Sequence, residues 1–185
     1  MKRETENKIV LILRRSRLDD LIARYNTVDQ ARFVVSQTGA DFEEYVEEDR
    51  IYKQTIRKAE ESLSSLGRLQ VLHREFLPNF IFGKEDTVVV LGQDGLVANT
   101  LKYLESQPIF GVNPDPGRYD GVLLPFDAKS LKEAVTAHFT GGTEIQRVSM
   151  AEVALSDGQR MYAVNDVFIG AGSHISARYE LAHEG

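Results

Sequence analysis

Asp94 stands between two glycines in Gly92-Gln93-Asp94-Gly95, directly after the apolar run Val88-Val89-Val90-Leu91. A carboxylate in such a turn, within reach of a hydroxyl, can accept its proton. The same residue at a helix N-terminus also caps free N–H groups and suits the dipole, and glycines beside it are ordinary turn residues. Arg14, Arg15 and Arg17 follow a second apolar run, Ile9 to Leu13, and could receive an anionic ligand or simply lie in an exposed loop. Asn165 and Asp166 form a third polar pair, within a segment that reads as strand, where Asn-Asp also marks a bulge or a sheet edge. His73, His138, His174 and His183 are too scattered for a local metal motif, so metal ligands stay unassigned.

The elements around these residues set their positions. Val88 to Leu91 and Ile9 to Leu13 have the unbroken apolar character of strands buried on both faces of a parallel sheet. After the glycine turn, Leu96, Val97, Leu101 and Leu104 recur at helical spacing and predict a helix to Glu105. The crevice outside the carboxyl ends of parallel strands is where open α/β sheets bind ligands, and Asp94 would face it. Leu18 to Tyr25 and Val28 to Val35 predict two helices, with Thr27 as N-cap of the second. From Asp41 to Leu66, Phe42, Tyr45, Tyr52, Ile56, Ala59, Leu63 and Leu66 form a heptad-like seam interrupted only by Asp49, on a helix about 40 Å long. That seam packs against its own domain or against a second subunit. Gly67 is expected to close the helix at a C′ position.

Leu69 to Leu72 and Pro108 to Asn113 predict further strands, and the loop Asn113 to Gly121, with two prolines and two glycines, should face Asp94. Asp127 or Ser130 starts a helix through Leu131, Val135 and Phe139 that Gly141-Gly142 ends. Strands alternating with helices predict a doubly wound, mainly parallel α/β sheet over residues 1–140. Beyond it, Ile145 to Leu155, Met161 to Ile169 and Ile175 to Leu181 favour strands, with Asp157-Gly158 as a hairpin turn. Residues 141–185 therefore read as the first strands of a β-domain, too few to be self-sufficient, and the chain as a fragment.

Composition narrows the function classes. With 42% hydrophobic and 27% charged residues the chain is globular, and a net charge of −6 argues against nucleic acid as a ligand. The absence of cysteine excludes disulfides, thiolate zinc sites and a thiol nucleophile. The only apolar run near the start is too short for a signal peptide or a membrane span, so the expectation is a cytoplasmic protein without a membrane partner.

Three pieces in register resemble the NAD kinase family: Gly92-Gln93-Asp94-Gly95 after a buried strand, Gly111-Val112-Asn113 at the end of the next, and Ala163-Val164-Asn165-Asp166-Val167 on a hairpin. They match that family's GGDG, G-[IV]-N and ALNE or ALND motifs over about residues 86–170. The resemblance implies magnesium-dependent phosphoryl transfer from ATP, or polyphosphate, to the 2′-hydroxyl of the adenosine ribose of NAD. It implies that Asp94 orients or deprotonates that hydroxyl and that Asn165 and Asp166 hold the nucleotide. Gly92 and Gly95 would admit its backbone approach, with Asn113 nearby. A homo-oligomer is implied as well.

Gln93 replaces the family's second glycine, Leu96 its usual threonine, and the later glycine- and serine/threonine-rich motif does not occur before Gly185. These departures suit an alternative, a module that binds a nucleotide or oligomerises without catalysis. Diacylglycerol-type lipid kinases share the glycine turn, but Val112-Asn113-Pro114-Asp115 does not match their following segment.

Overall fold

The computed structural model describes residues 4–168 together with 170 and 180. Its apolar runs become strands β1 (Lys8–Leu13), β2 (Arg68–His73), β3 (Thr87–Leu91) and β4 (Ile109–Val112), joined in one parallel sheet of order β2-β1-β3-β4. The two central strands are buried on both faces, which is why Ile9–Leu13 and Val88–Leu91 carry no polar alternation.

Helices cover both sides of this sheet. On one, α3 (Phe42–Leu66) and α5 (Leu131–Phe139) pack on Ile9, Leu11, Val89 and Leu91. On the other, α4 (Asp94–Leu101) and the 3₁₀ turn Arg74–Asn79 pack on Val10, Ile12, Val88 and Val90. Two more helices, α1 (Arg17–Tyr25) and α2 (Val28–Gln37), close a separate cluster of Leu18, Ala31 and Val35 around Phe42 of α3. The predicted α/β architecture is the observed one.

From β1 the chain crosses to β2 on one side, then returns to place β3 on the other. That reversal is a topological switch point, and it opens a crevice at the carboxyl ends of β1 and β3. Arg14 leaves the first strand there, and Gly92 leaves the second.

Of its two expected packings, the α3 seam takes the one within its own domain: Tyr52, Ala59, Leu63 and Leu66 are covered by the sheet, and Phe42 by α1 and α2. Several other local expectations are corrected. Gly67 does end α3, but with extended backbone, φ −160°, and not in the left-handed conformation of a C′ glycine. Its reason is crowding, since a Cβ there would lie 2.7 Å from Thr5 Cγ2. Helix α4 stops at Leu101, four residues early, because Tyr103 N and Leu104 N bond three residues back in a tightened turn. The Gln107 side chain then accepts from Glu105 N and Ser106 N, satisfying donors that a longer helix would have used. At α5 the Asp127 carboxylate caps, accepting from Lys129 N and Ser130 N, while Ser130 makes no capping bond. Gly141, at φ +76°, closes that helix as expected.

Beyond Gly142 the strands are shorter than their patterns. Among the described residues there, β5 (Ala151–Ala154) and β6 (Arg160–Ala163) form, as an antiparallel hairpin turned by Ser156, Asp157 and Gly158 at φ +89°. Residues 143–150 are irregular, and Ile145, Val148 and Met150 are exposed; apolar alternation without a partner strand does not make a ladder. The third expected strand, Ile175 to Leu181, and the end of the second at Ile169 lie outside the described residues. No helix among the described residues is long and apolar enough to cross a membrane.

Candidate functional site at the switch point

Two carboxylates organise the crevice, one from each side. On the β3 side, Gly92 N donates to Val112 O at 3.2 Å and aligns the turn with β4. A Cβ at Gly92 would meet Leu96 Cδ2 at 3.0 Å and approach the Arg14 stem at 3.7 Å, so the turn is closely packed. At Gly95 a Cβ would meet nothing within 4 Å, and that residue faces open space.

Asp94 opens α4, and both of its oxygens are engaged by the two residues that directly follow the Asn113–Gly121 loop predicted to face it. Leu123 N donates to Oδ1 at 2.8 Å and Val122 N to Oδ2 at 3.2 Å. Charge-assisted bonds of this kind tie residues 122–123 to the helix start. Gly111 admits the same loop: a Cβ there would sit 1.9 Å from Leu123 O. Asn113 is buried and shapes the other end, donating through Nδ2 to Tyr119 O and accepting from Asp115 N through Oδ1. Gly121, at φ +63°, turns beneath it, where a Cβ would stand 2.7 Å from Asn113 Nδ2.

The result is a cleft of about 350 Å³ lined by Gln93, Asp94, Gly95, Arg118, Tyr119, Asp120, Gly121 and Leu124. A larger hollow of about 540 Å³ lies along α1 and α2 between Arg24 and Val34. None of its lining residues comes from a strand's carboxyl end, so the smaller cleft is the better candidate.

Gly92, Asp94, Gly95 and Asn113 thus meet at one end of the sheet. Asn165 and Asp166 do not join them through any hydrogen bond among the described residues. They fall beyond the end of β6, both exposed, Asn165 in a bend and Asp166 in irregular backbone, so the motif that reads as strand is not strand at these two positions.

On the β1 side stands a carboxylate that sequence reading passed over. Glu48, on α3, is only 3% exposed and pairs with Arg14 Nη2 at 3.1 Å and with Arg17 Nε. Burial raises the Glu48 pKa, but the hydrogen bonds from Arg17 and Arg14 outweigh it and hold the carboxyl below its usual range. Tyr45 stacks under Arg17 at 4.4 Å and Tyr52 under Arg14 at 5.4 Å. The Tyr119 hydroxyl, at the cleft wall, is pushed above the ordinary tyrosine range by burial first and by Glu48 second.

Tyr52 spans the switch point itself. Its hydroxyl donates to Leu91 O at 3.0 Å and accepts from Arg14 N at 3.1 Å, joining the carboxyl ends of β3 and β1. Burial pushes its pKa up to about 12. Ser16, which caps α1, donates to Asp49 at 2.6 Å, and Lys53 pairs with the same carboxylate. Asp49 therefore interrupts the seam for a reason: it docks α1 onto α3.

The buried stripe of α3 runs through Glu48, Tyr52, Thr55, Ala59, Leu63 and Leu66. A charged residue on such a stripe signals a buried partner, and the arginines after β1 were the available partners. Arg15 differs from its neighbours, with an exposed pairing to Glu75. Among the described residues no three His, Asp or Glu side chains cluster as a metal cage.

Compared with family models and with curated proteins, the chain matches none.

Proposed function

We propose that the switch-point cleft binds a nucleotide, and that the chain is the NAD-binding part of an NAD kinase-like phosphotransferase. The observation that carries this reading is the position of the glycine turn. Gly92 to Gly95 lies where β3 passes into α4 at the switch point, beside a cleft, with Gly95 bare to solvent. Backbone there can approach a dinucleotide closely.

In phosphoryl transfer the protein's contribution is mostly positioning and charge stabilisation. Asp94 would orient the ribose 2′-hydroxyl, or take its proton, through lone pairs left beside its bonds to Val122 N and Leu123 N. Magnesium usually keeps several waters and binds through one or two carboxylates plus substrate phosphates. It would enter with the phosphates of ATP or polyphosphate, and Asp120 is the cleft carboxylate without a hydrogen-bond partner among the described residues. When bound, it would neutralise charge on the transferred group. Asn165 and Asp166 would have to reach the nucleotide from the end of β6.

A second reading, nucleotide binding without catalysis, is favoured by the engagement of both Asp94 oxygens with backbone. Calorimetric titration with NAD, NADP and ATP, beside an assay for NADP formation with magnesium and ATP or polyphosphate, separates the two. NAD binding with turnover supports the kinase-like reading; NAD binding without turnover supports the second; no binding removes both.

A further inference from the structure

Glu48 is a buried carboxylate that the proposed reaction does not use, and its partners are the arginines at the exit of β1, of which Arg14 lies against the Gly92 turn. The two differ in a way that matters. Arg14 is 12% exposed and packed between Tyr52 and the Gly92 turn, whereas Arg17 is 41% exposed. Only Arg17 Nε is bonded to Glu48, and its two Nη groups make no hydrogen bond among the described residues. Tyr119, on the cleft wall, lies within Coulombic reach of both Glu48 and Arg17. Two guanidinium groups share the one Glu48 carboxylate, so Arg17 is not neutralised by a partner of its own.

We propose that Glu48 is a positioning residue that holds Arg17 at the mouth of the switch-point cleft, so that the free Nη edge of Arg17 receives an anionic phosphate group of the ligand. This rests on the nucleotide reading above and adds to it the residue that grips the phosphate. Arg14 is the fixed half of the pair, and Arg17 the half turned outward. A guanidinium held by Nε and stacked on Tyr45 is pre-oriented, with its remaining donors available to a phosphate in a planar fork. Free of Glu48, the same side chain would sample many rotamers and lose affinity in becoming ordered.

This role is opposed in sign to simple neutralisation. If Glu48 only offset positive charge, Glu48→Gln would tighten anion binding; if it positions Arg17, the same change loosens it. The test is calorimetric titration of the full 185-residue chain with NAD and with inorganic pyrophosphate, on wild type, Glu48→Gln, Arg17→Ala and Arg17→Lys. Circular dichroism would confirm folding in each case.

The expected result is weaker binding of both probes, about tenfold for Arg17→Ala and severalfold for Glu48→Gln, with part of the loss restored in Arg17→Lys. Arg17 lies at the surface, so its variants remain informative even if Glu48→Gln fails to fold. Unchanged or tighter binding by folded Glu48→Gln, or unchanged binding by Arg17→Ala, overturns the proposal while leaving nucleotide binding intact. Failure of the wild-type chain to bind either probe overturns both.

Discussion

Asp94 and Glu48 are carboxylates on opposite sides of one crevice, and they are satisfied in different ways. Asp94 takes two neutral backbone donors from a loop about 28 residues on, and so fixes the shape of the cleft. Glu48 takes two guanidinium groups, one just after β1 and one from the start of α1, more than 30 residues earlier, and so fixes charge. Geometry comes from the first and electrostatics from the second. Tyr52 joins the two sides through Leu91 O and Arg14 N.

The largest expected effect lies on the Glu48 side. Glu48→Ala leaves the buried Arg14 guanidinium without its counter-charge, and loss of one partner of such a pair costs about 3–5 kcal/mol. Chemical denaturation would read it as a lowered midpoint. Arg15→Ala is the matched control, since its pair with Glu75 is exposed and worth under about 1 kcal/mol.

Tyr52→Phe should cost about 1–3 kcal/mol, because the change leaves Leu91 O and Arg14 N buried without a partner. It also carries a pH signature. The folded-state pKa of about 12 lies above the ordinary value of 10.0, so the folded chain holds the phenolic proton more tightly than the unfolded one. That stabilisation is fully present below about pH 10 and is lost as pH rises toward 12. Denaturation midpoints measured from pH 9 to pH 12 should therefore fall more steeply in wild type than in Tyr52→Phe.

Apart from the Arg15 control, the smallest effect on stability is expected on the Asp94 side. Asp94→Asn keeps one acceptor for the loop and should cost about 1 kcal/mol, while weakening nucleotide binding or, where there is turnover, lowering it about 10²–10⁴-fold. A variant that loses stability without losing affinity or turnover would make Asp94 a loop clamp alone.

How much of this was legible in the sequence follows from the range of each interaction. The strands, the glycine turn and the loop facing Asp94 were readable because each is encoded within a few residues. Val88 to Leu91 needs no distant partner to look like a buried strand. Glu48 was not readable in that way, since it follows ordinary helical charges at Glu43, Glu44 and Glu47, and only α3 packing against β1 and α1 distinguishes it. The same limit explains the overlong strands after Gly142. Alternation in residues 143–150 is a local signal, and pairing needs a neighbour to receive it.

The most direct test of nucleotide binding at the switch point is a titration of the isotopically labelled chain with NAD, followed by backbone amide chemical shifts. The expected perturbations fall on Gln93, Asp94 and Gly95 and on residues 118–122, with smaller ones at Arg17 and Glu48. Perturbations confined to the hollow between Arg24 and Val34, or none at saturating NAD, would contradict a nucleotide site at the carboxyl ends of β1 and β3.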